Sequence, residues 1–407
     1  MTDRLKTILI ATGFTVVVVA MGFALYLVFF RSTPTSPETP SESGAAEETP
    51  GLLPESTTGT ATRVTEGADD GLPEVDTIAR GGVTETTDLT TTRVDTTTVG
   101  ARGSSVNFYD ASDQRFYTVG ADGEVVSLSN QRFPNVESVT WNTSGDKAII
   151  EFPDGANVVY HFDTGTQVSL PTHWEDFGFS PRTDEVIAKS IGIDPSNRAL
   201  VITNADGSNA RAIAPLGENA DKVHVSWSPN NAVVAFSETG PEVGSLGRTL
   251  IVPIGKNQEN LKGLTVEGFD FRPQWNTTGD KIVYSAVGSI NGYRPLLWVV
   301  DGSPNSLGEN RRSLGIETWA DKCTFASAQT MYCAVPQNLP PNTGLQRAVG
   351  NETPDRIFRV NIATGTSELI AIPDEPQPIG QIQVSSDQST LFFTNAQTGI
   401  LQRLQLK

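Results

Sequence analysis

Residue types that most often carry chemistry are scarce here: the 407-residue chain has 2 Cys and 3 His, against 47 acidic side chains. Cys323 and Cys333 flank a turn centred near residue 328, in the segments DKCTFA and TMYCAV. In a symmetric hairpin they face each other with Cβ atoms about 4.5–5.5 Å apart, within reach of a disulfide once the strands twist. Two readings stay open, a disulfide within the hairpin or two buried free thiols. A redox pair is not expected, because the C-x-x-C spacing is missing and Lys322 is the one basic neighbour. His161, His173 and His224 are scattered, so a three-imidazole metal site would need every histidine, and two thiols cannot build a four-thiolate cage. No G-x-S-x-G elbow, H-E-x-x-H helix or phosphate-binding P-loop pattern occurs. No catalytic residue, metal site or cofactor is therefore expected. The one enzymatic arrangement left open is a pair of carboxylates about 5–9 Å apart in a channel, the spacing of glycoside hydrolysis.

Charge narrows the partners. Basic residues number 29, giving a net charge of −18, too acidic for a protein that binds nucleic acid by neutralising phosphates. Residues 1–30 carry +1, residues 31–100 carry −9 and residues 101–407 carry −10. Ile8 to Phe30 is an uncharged run of 23 residues. As a helix it spans about 35 Å, enough for a hydrocarbon core of about 30 Å. The run ends in Val28-Phe29-Phe30-Arg31, unlike a signal peptidase site. A single membrane-spanning helix at 8–30 is expected, with residues 1–7 as a cytoplasmic tail because Arg4 and Lys6 precede it. Everything beyond then faces outside the cell membrane. Residues 31–89 are rich in Thr, Ser, Pro and Glu and poor in large apolar side chains, which predicts a disordered acidic stalk.

The elements that must position any site are announced by repetition. Trp141-Asn-Thr-Ser-Gly-Asp-Lys recurs as Trp275-Asn-Thr-Thr-Gly-Asp-Lys, with weaker copies starting at Tyr109, Phe179, Trp227, Phe325 and Val384. Each follows an alternating strand and precedes a β-branched run such as KAIIEF, AVVAFSE, KIVYSAV or TLFFTN, then a third strand, a turn and a short fourth strand. Four antiparallel strands repeated every 40–50 residues or so are the sequence form of a β-propeller blade. The segments WNTSGDK, WSPNNA and FSPRTDE resemble the TolB-like family of propeller repeats, related in outline to WD-repeat proteins, over roughly residues 105–407. That resemblance implies a protein-interaction scaffold in the cell envelope and no single activity. The expected fold is all-β, a seven-bladed propeller, with six to eight blades possible because the copies at 325 and 384 lack the turn glycine. The last unit offers only GQIQVS, TLFFTN and ILQRLQL, so Thr90 to Val99 is expected to add the missing strand and close the ring, giving a head of residues 90–407. Trp141, Trp227 and Trp275 are expected to pack between blades.

Loop lengths then point to a face. The first-to-second and third-to-fourth turns of each blade are short and lie on one face; the blade-to-blade connections, which carry Trp174 and Trp319, and the second-to-third loops lie on the other. The latter are long in four consecutive blades, at 192–198, 239–247, 288–294 and 336–354, and insertions in repeat proteins collect on binding faces. Candidate contact residues there are Tyr293, Arg294, Arg347, Trp174, Trp319 and Glu242, mostly of types enriched at interface hot spots. The expectation is a membrane-anchored, monomeric head that binds a protein or a cell-envelope glycan. The alternatives are a propeller hydrolase or lyase acting on a glycan or peptide, with carboxylates in the central channel, and a calcium-stabilised sensor domain.

Overall fold

The computed structural model describes residues 17, 19–21, 75–100, 103–244 and 247–407. Apart from the helical residues 17 and 19–21, the expected span Ile8 to Phe30, the tail ahead of it and the stalk as far as residue 74 lie outside the described residues. Among the described residues no helix is long and apolar enough to cross a membrane. The chain divides into two compact units, residues 1–68 and 69–407, and the second contains the repeats.

Seven sheets form, one per repeat, and each is a four-stranded antiparallel blade apart from one added edge strand. The inner strands of blades 1 to 7 are Val94–Val99, Ser138–Trp141, Trp174–Phe179, Val223–Val225, Phe269–Trp275, Cys323–Phe325 and Ile379–Val384. Blade 5 shows why the sequence folds this way. Its second strand, Lys281–Val287, is buried at every position after the first, because a propeller blade is covered on both faces by its neighbours. Successive side chains point to opposite faces: Ile282 and Tyr284 join the core shared with blade 4, whereas Val283 joins the core shared with blade 6. The same alternation produces seven apolar clusters, one at each blade-to-blade interface. The cluster joining Phe392 and Leu401 of blade 7 to Val106 and Phe108 of blade 1 closes the ring.

Closure differs from expectation in its residues. The outer strand of blade 7 is Thr86–Asp88, paired antiparallel with Leu401–Gln405. The β-branched run expected to do this, ending at Val99, instead supplies the inner strand of blade 1. An inner strand needs side chains buried against both neighbours, which Val94 and Thr97 provide; an outer strand needs only three residues. Thr86 is further fixed by Asp374, which accepts from its backbone N at 3.1 Å and its Oγ1 at 2.6 Å. Just before it, Val83–Thr84 adds a parallel fifth strand to blade 6 beside Ser367–Pro373. The described residues of the second unit thus begin at residue 75, inside the segment read as stalk.

The repeated turn is a staple between blades. Asn107 Nδ2 donates to Gly145 O at 2.8 Å and Asn230 Nδ2 donates to Gly279 O at 2.6 Å, each reaching from one blade into the next blade's turn. Four residues after the anchoring position, the backbone enters the left-handed region at Gly103, Gly145, Asn231, Gly279 and Gln388, with φ of 72°, 69°, 63°, 76° and 56°. This spacing corrects the first repeat: its anchor is Val99 in the inner strand, whereas Tyr109 lies one strand further on. Trp141, Trp227 and Trp275 pack at blade interfaces, with Trp141 edge-on to Phe116 of blade 1 and Trp275 stacked on Phe236 of blade 4.

Candidate functional site

The position three residues before each anchor forms a ring around the channel: Thr96, Ser138, Asp176, His224, Arg272, Lys322 and Gln381, one from each blade. Five of them line one cavity of about 810 Å³ that opens on the long-loop face, and Asp176 and His224 line a second depression of about 590 Å³ beside it. Inner-strand bulges at Val94/Thr97, Glu175/Gly178, Phe269/Arg272 and Ile379/Ile382 shift the register at this level, which is how a strand re-aims side chains at a rim. Asp176 and Asp270 take up the bulges with positive φ, 53° and 57°.

Cations reach the mouth on one arc of the ring, each of them met by an acid. On blades 5 and 6 the cavity receives Arg272 and Lys322, and Arg347 is added by the single-turn helix Arg347–Gly350 of the longest connection. Lys322 is engaged: its Nζ donates to both oxygens of Asp355 at 2.8 and 2.7 Å, and Asp355 also accepts from Ile379 N at 2.6 Å. Burial pushes the Asp355 carboxyl up to about 6 against the opposing pull of Lys322, and burial likewise lowers the Lys322 ammonium. The pair ties the end of the 337–354 connection to the inner strands of blades 6 and 7. Arg347 lies over the Trp319 ring at 5.2 Å and donates to Asp321, whose carboxylate also stands 3.7 Å from Arg272 Nη1. Arg272 Nε donates to Asp270 at 2.8 Å. Neutral polar groups complete the wall: Gln274 Nε2 donates to Cys323 O at 3.0 Å, and Gln381 Oε1 accepts from Thr97 N and Oγ1, both at 2.9 Å.

On blades 2 and 3 the sign reverses. Burial raises the Glu151 carboxyl, and Asp176, Glu137 and Glu175 add to the rise by repulsion. Asp176 is paired with Lys189, and His224 with Glu238 at 2.9 Å. Of the residues lining the large cavity only Glu137 and Asp321 are carboxylates. They come from blades 2 and 6, three places apart in a ring of seven, and Asp321 is already held by arginine.

The candidates chosen from loop length separate. Arg347 lines the cavity. Tyr293, 38% exposed, lines a cleft of about 550 Å³ between blades 4 and 5 with Phe269 and Ile290. Arg294 is turned to a structural use, donating to Leu339 O at 2.7 Å and Asn291 O at 3.1 Å and so pinning one long connection to the next. Glu242 is exposed on a connection that pairs back through Thr249. Trp174, at a strand start, and Trp319, just ahead of the 3-10 turn Ala320–Lys322, are buried at 8% and 0% exposure, so they hold the core rather than offer a contact surface. Cys323 and Cys333 are register partners joined by a disulfide, with Cα atoms 4.1 Å apart. The sequence reading missed Arg272, Lys322, Asp321 and Asp355. For Arg272 and Lys322 the signal was available in the fixed offset from each anchor; Asp321 and Asp355 stand outside that offset and carry no such signal.

His161 lies on the opposite face. With Asp146 and Asp163 it places three ligand-type atoms within 4.8 Å of one another at the short turns of blade 2. His173 and His224 belong to blades 3 and 4, and no histidine lines the large cavity.

Fold and site together define a seven-bladed β-propeller with a polar, charge-divided channel mouth. No family model matches the sequence, and no curated protein matches it. Solved structures do match in fold. The chain is similar to an oligogalacturonate lyase in complex with manganese, at 15% identity and a TM-score of 0.55, covering 79% of this chain and 93% of that one. It is also similar to the β-propeller domain of Swd1 (Cps50) from Myceliophteria thermophila, at 9% identity and a TM-score of 0.52, covering 79% of this chain and 100% of that one. TolB from Acinetobacter baumannii matches at 13% identity and a TM-score of 0.43, over 66% of this chain and 65% of that one.

Proposed function

We propose that the chain is a membrane-tethered, extracytoplasmic β-propeller that acts as a binding scaffold, docking a protein or an envelope glycan on the face of its long connections. The observation that carries this reading is the state of the acids at the channel mouth. A hydrolase or lyase working through two carboxylates needs both free and about 5–9 Å apart, whereas here one of two is held by arginines and the other comes from a distant blade. The uncharged polar groups of the wall are threonine, serine, glutamine and asparagine, which recognise without reacting, and they alternate with apolar Val94, Val139, Ile379 and Ile382. The tether rests on the uncharged run Ile8 to Phe30.

A photo-crosslinking residue at Leu345, 53% exposed on the longest connection, tests the docking face against one at Asp206 in a turn on the opposite face. Capture from position 345 alone is the expected result. Equal capture from both positions, or capture from 206 alone, overturns it, as does release of unsaturated uronides when the purified chain is incubated with oligogalacturonate.

A further inference from the structure

We propose that the channel mouth over blades 5 and 6 is a carboxylate-binding site, and that it takes an acidic stretch of a partner polypeptide. The inference rests on the scaffold reading above and names the chemistry of what docks. Lys322 is satisfied by Asp355 and is not counted toward the ligand. On blades 5 and 6 this leaves two guanidiniums, Arg272 and Arg347, that share Asp321, with Asp270 holding only the Nε of Arg272. Arg347 takes Asp321 at hydrogen-bond distance, leaving Arg272 Nη1 at 3.7 Å, beyond hydrogen-bond range. Arg272 spends its Nε on Asp270, and among the described residues its terminal nitrogens make no hydrogen bond. A guanidinium is a rigid fork that matches a carboxylate through two parallel N–H groups. In Arg272 that fork is presented to a cavity, with the amides of Gln274 and Gln381 beside it.

Two further observations favour a ligand over a purely internal network. Residues 101–407 carry a net charge of −10, yet Arg272 and Arg347 meet here on one shared acid, while a separate cluster of carboxylates, Glu137, Glu151, Glu175 and Asp176, lies on blades 2 and 3. Arg347 is delivered by the longest connection in the head and is braced over Trp319, which fixes its direction. No aromatic ring lines the cavity. A sugar would find no stacking platform, so the structure favours a peptide over an acidic glycan as the source of the carboxylate.

The test is a calorimetric titration of the full-length chain with N-acetylated hexaglutamate at low salt, with oligogalacturonate as the second arm. R272Q and R347Q should each weaken hexaglutamate binding about tenfold or more, the loss expected on truncating one partner of a close charge pair. D321N removes the internal competitor and should tighten it. K262Q, on an exposed lysine paired with Glu309 far from the mouth, should leave it unchanged. Should R347Q disturb its connection, seen as a lowered thermal midpoint, R272Q carries the test. Equal affinity across native, R272Q and D321N chains overturns the site, as does absence of binding to the native chain. Tenfold tighter binding of oligogalacturonate than of hexaglutamate overturns the peptide assignment. Crosslinking from position 345 with no hexaglutamate binding leaves the docking face standing and removes the carboxylate site; the converse removes the docking face alone.

Discussion

Asp387 shows at single-residue scale how the repeated turn uses a carboxylate. Ser385 Oγ donates to it at 2.6 Å, and Ser389 N and Oγ donate at 3.0 and 2.8 Å. These hydrogen bonds hold its carboxyl at about 2, below the ordinary 3.8. A folded-state value below the unfolded one adds stability that is fully present above the unfolded value and is lost as pH falls through the folded one. The D387N chain should therefore be less stable than the native chain at pH 6, and the gap should close as pH falls from about 4 to about 2. Urea denaturation at several pH values measures it; a gap independent of pH would assign the loss to packing instead. Residue identities at the rim were harder to read. Arg272 and Lys322 look like ordinary surface cations in a strand until their shared offset from Trp275 and Phe325 is noticed.

At the scale of the element, the strand–turn–strand unit was legible because two periodicities coincide: side chains alternate along the strand, and a left-handed residue recurs at one place in the turn. Gly279 has φ of 76°, and an added Cβ would stand 2.6 Å from Asn230 N of the neighbouring blade. G279A is expected to cost about 1–3 kcal/mol through backbone strain. Gln388 holds the equivalent place with φ of 56° and donates through Nε2 to Ala326 O at 3.1 Å. Q388G relieves about 1 kcal/mol of left-handed strain and loses a hydrogen bond of about 1 kcal/mol, so it should be nearly neutral. Chemical denaturation of both variants checks the contrast, and a large gain for Q388G would mean that the side-chain bond contributes little. The absence of glycine at 329 and 388 left the blade count open in the sequence: Gln388 reaches the left-handed region without announcing it, and Gln329 does not enter that region.

For the whole molecule, closure is the element that sequence pattern assigned to the wrong strand. Thr86–Asp88 is only three residues long, and its place is set by Asp374, 288 residues away, and by Leu401–Gln405, where Gln402 donates to Asp88 across 314 residues. A chain beginning at residue 75 should unfold in one cooperative transition. One beginning at residue 89 exposes the edge of blade 7 and loses three register pairs there and two on blade 6, a cost of about 5 kcal/mol at about 1 kcal/mol per hydrogen bond, with self-association through the open edge. Thermal melts and size-exclusion chromatography of the two chains distinguish these outcomes, and equal midpoints would show that the ring does not depend on its outer clasp.

The division between the two sources of information follows from range. Alternation, turn backbone and repeat length are local properties, so the sequence alone determined an all-β ring of repeated blades, the interfacial tryptophans and the face that carries the long connections. Which residues meet across that ring depends on how seven separate segments are brought to one axis. Only the tertiary structure decided that Arg272, Lys322 and Arg347 share a mouth, that Trp174 and Trp319 turn inward, and that Thr86–Asp88 rather than Thr90 to Val99 clasps the last blade.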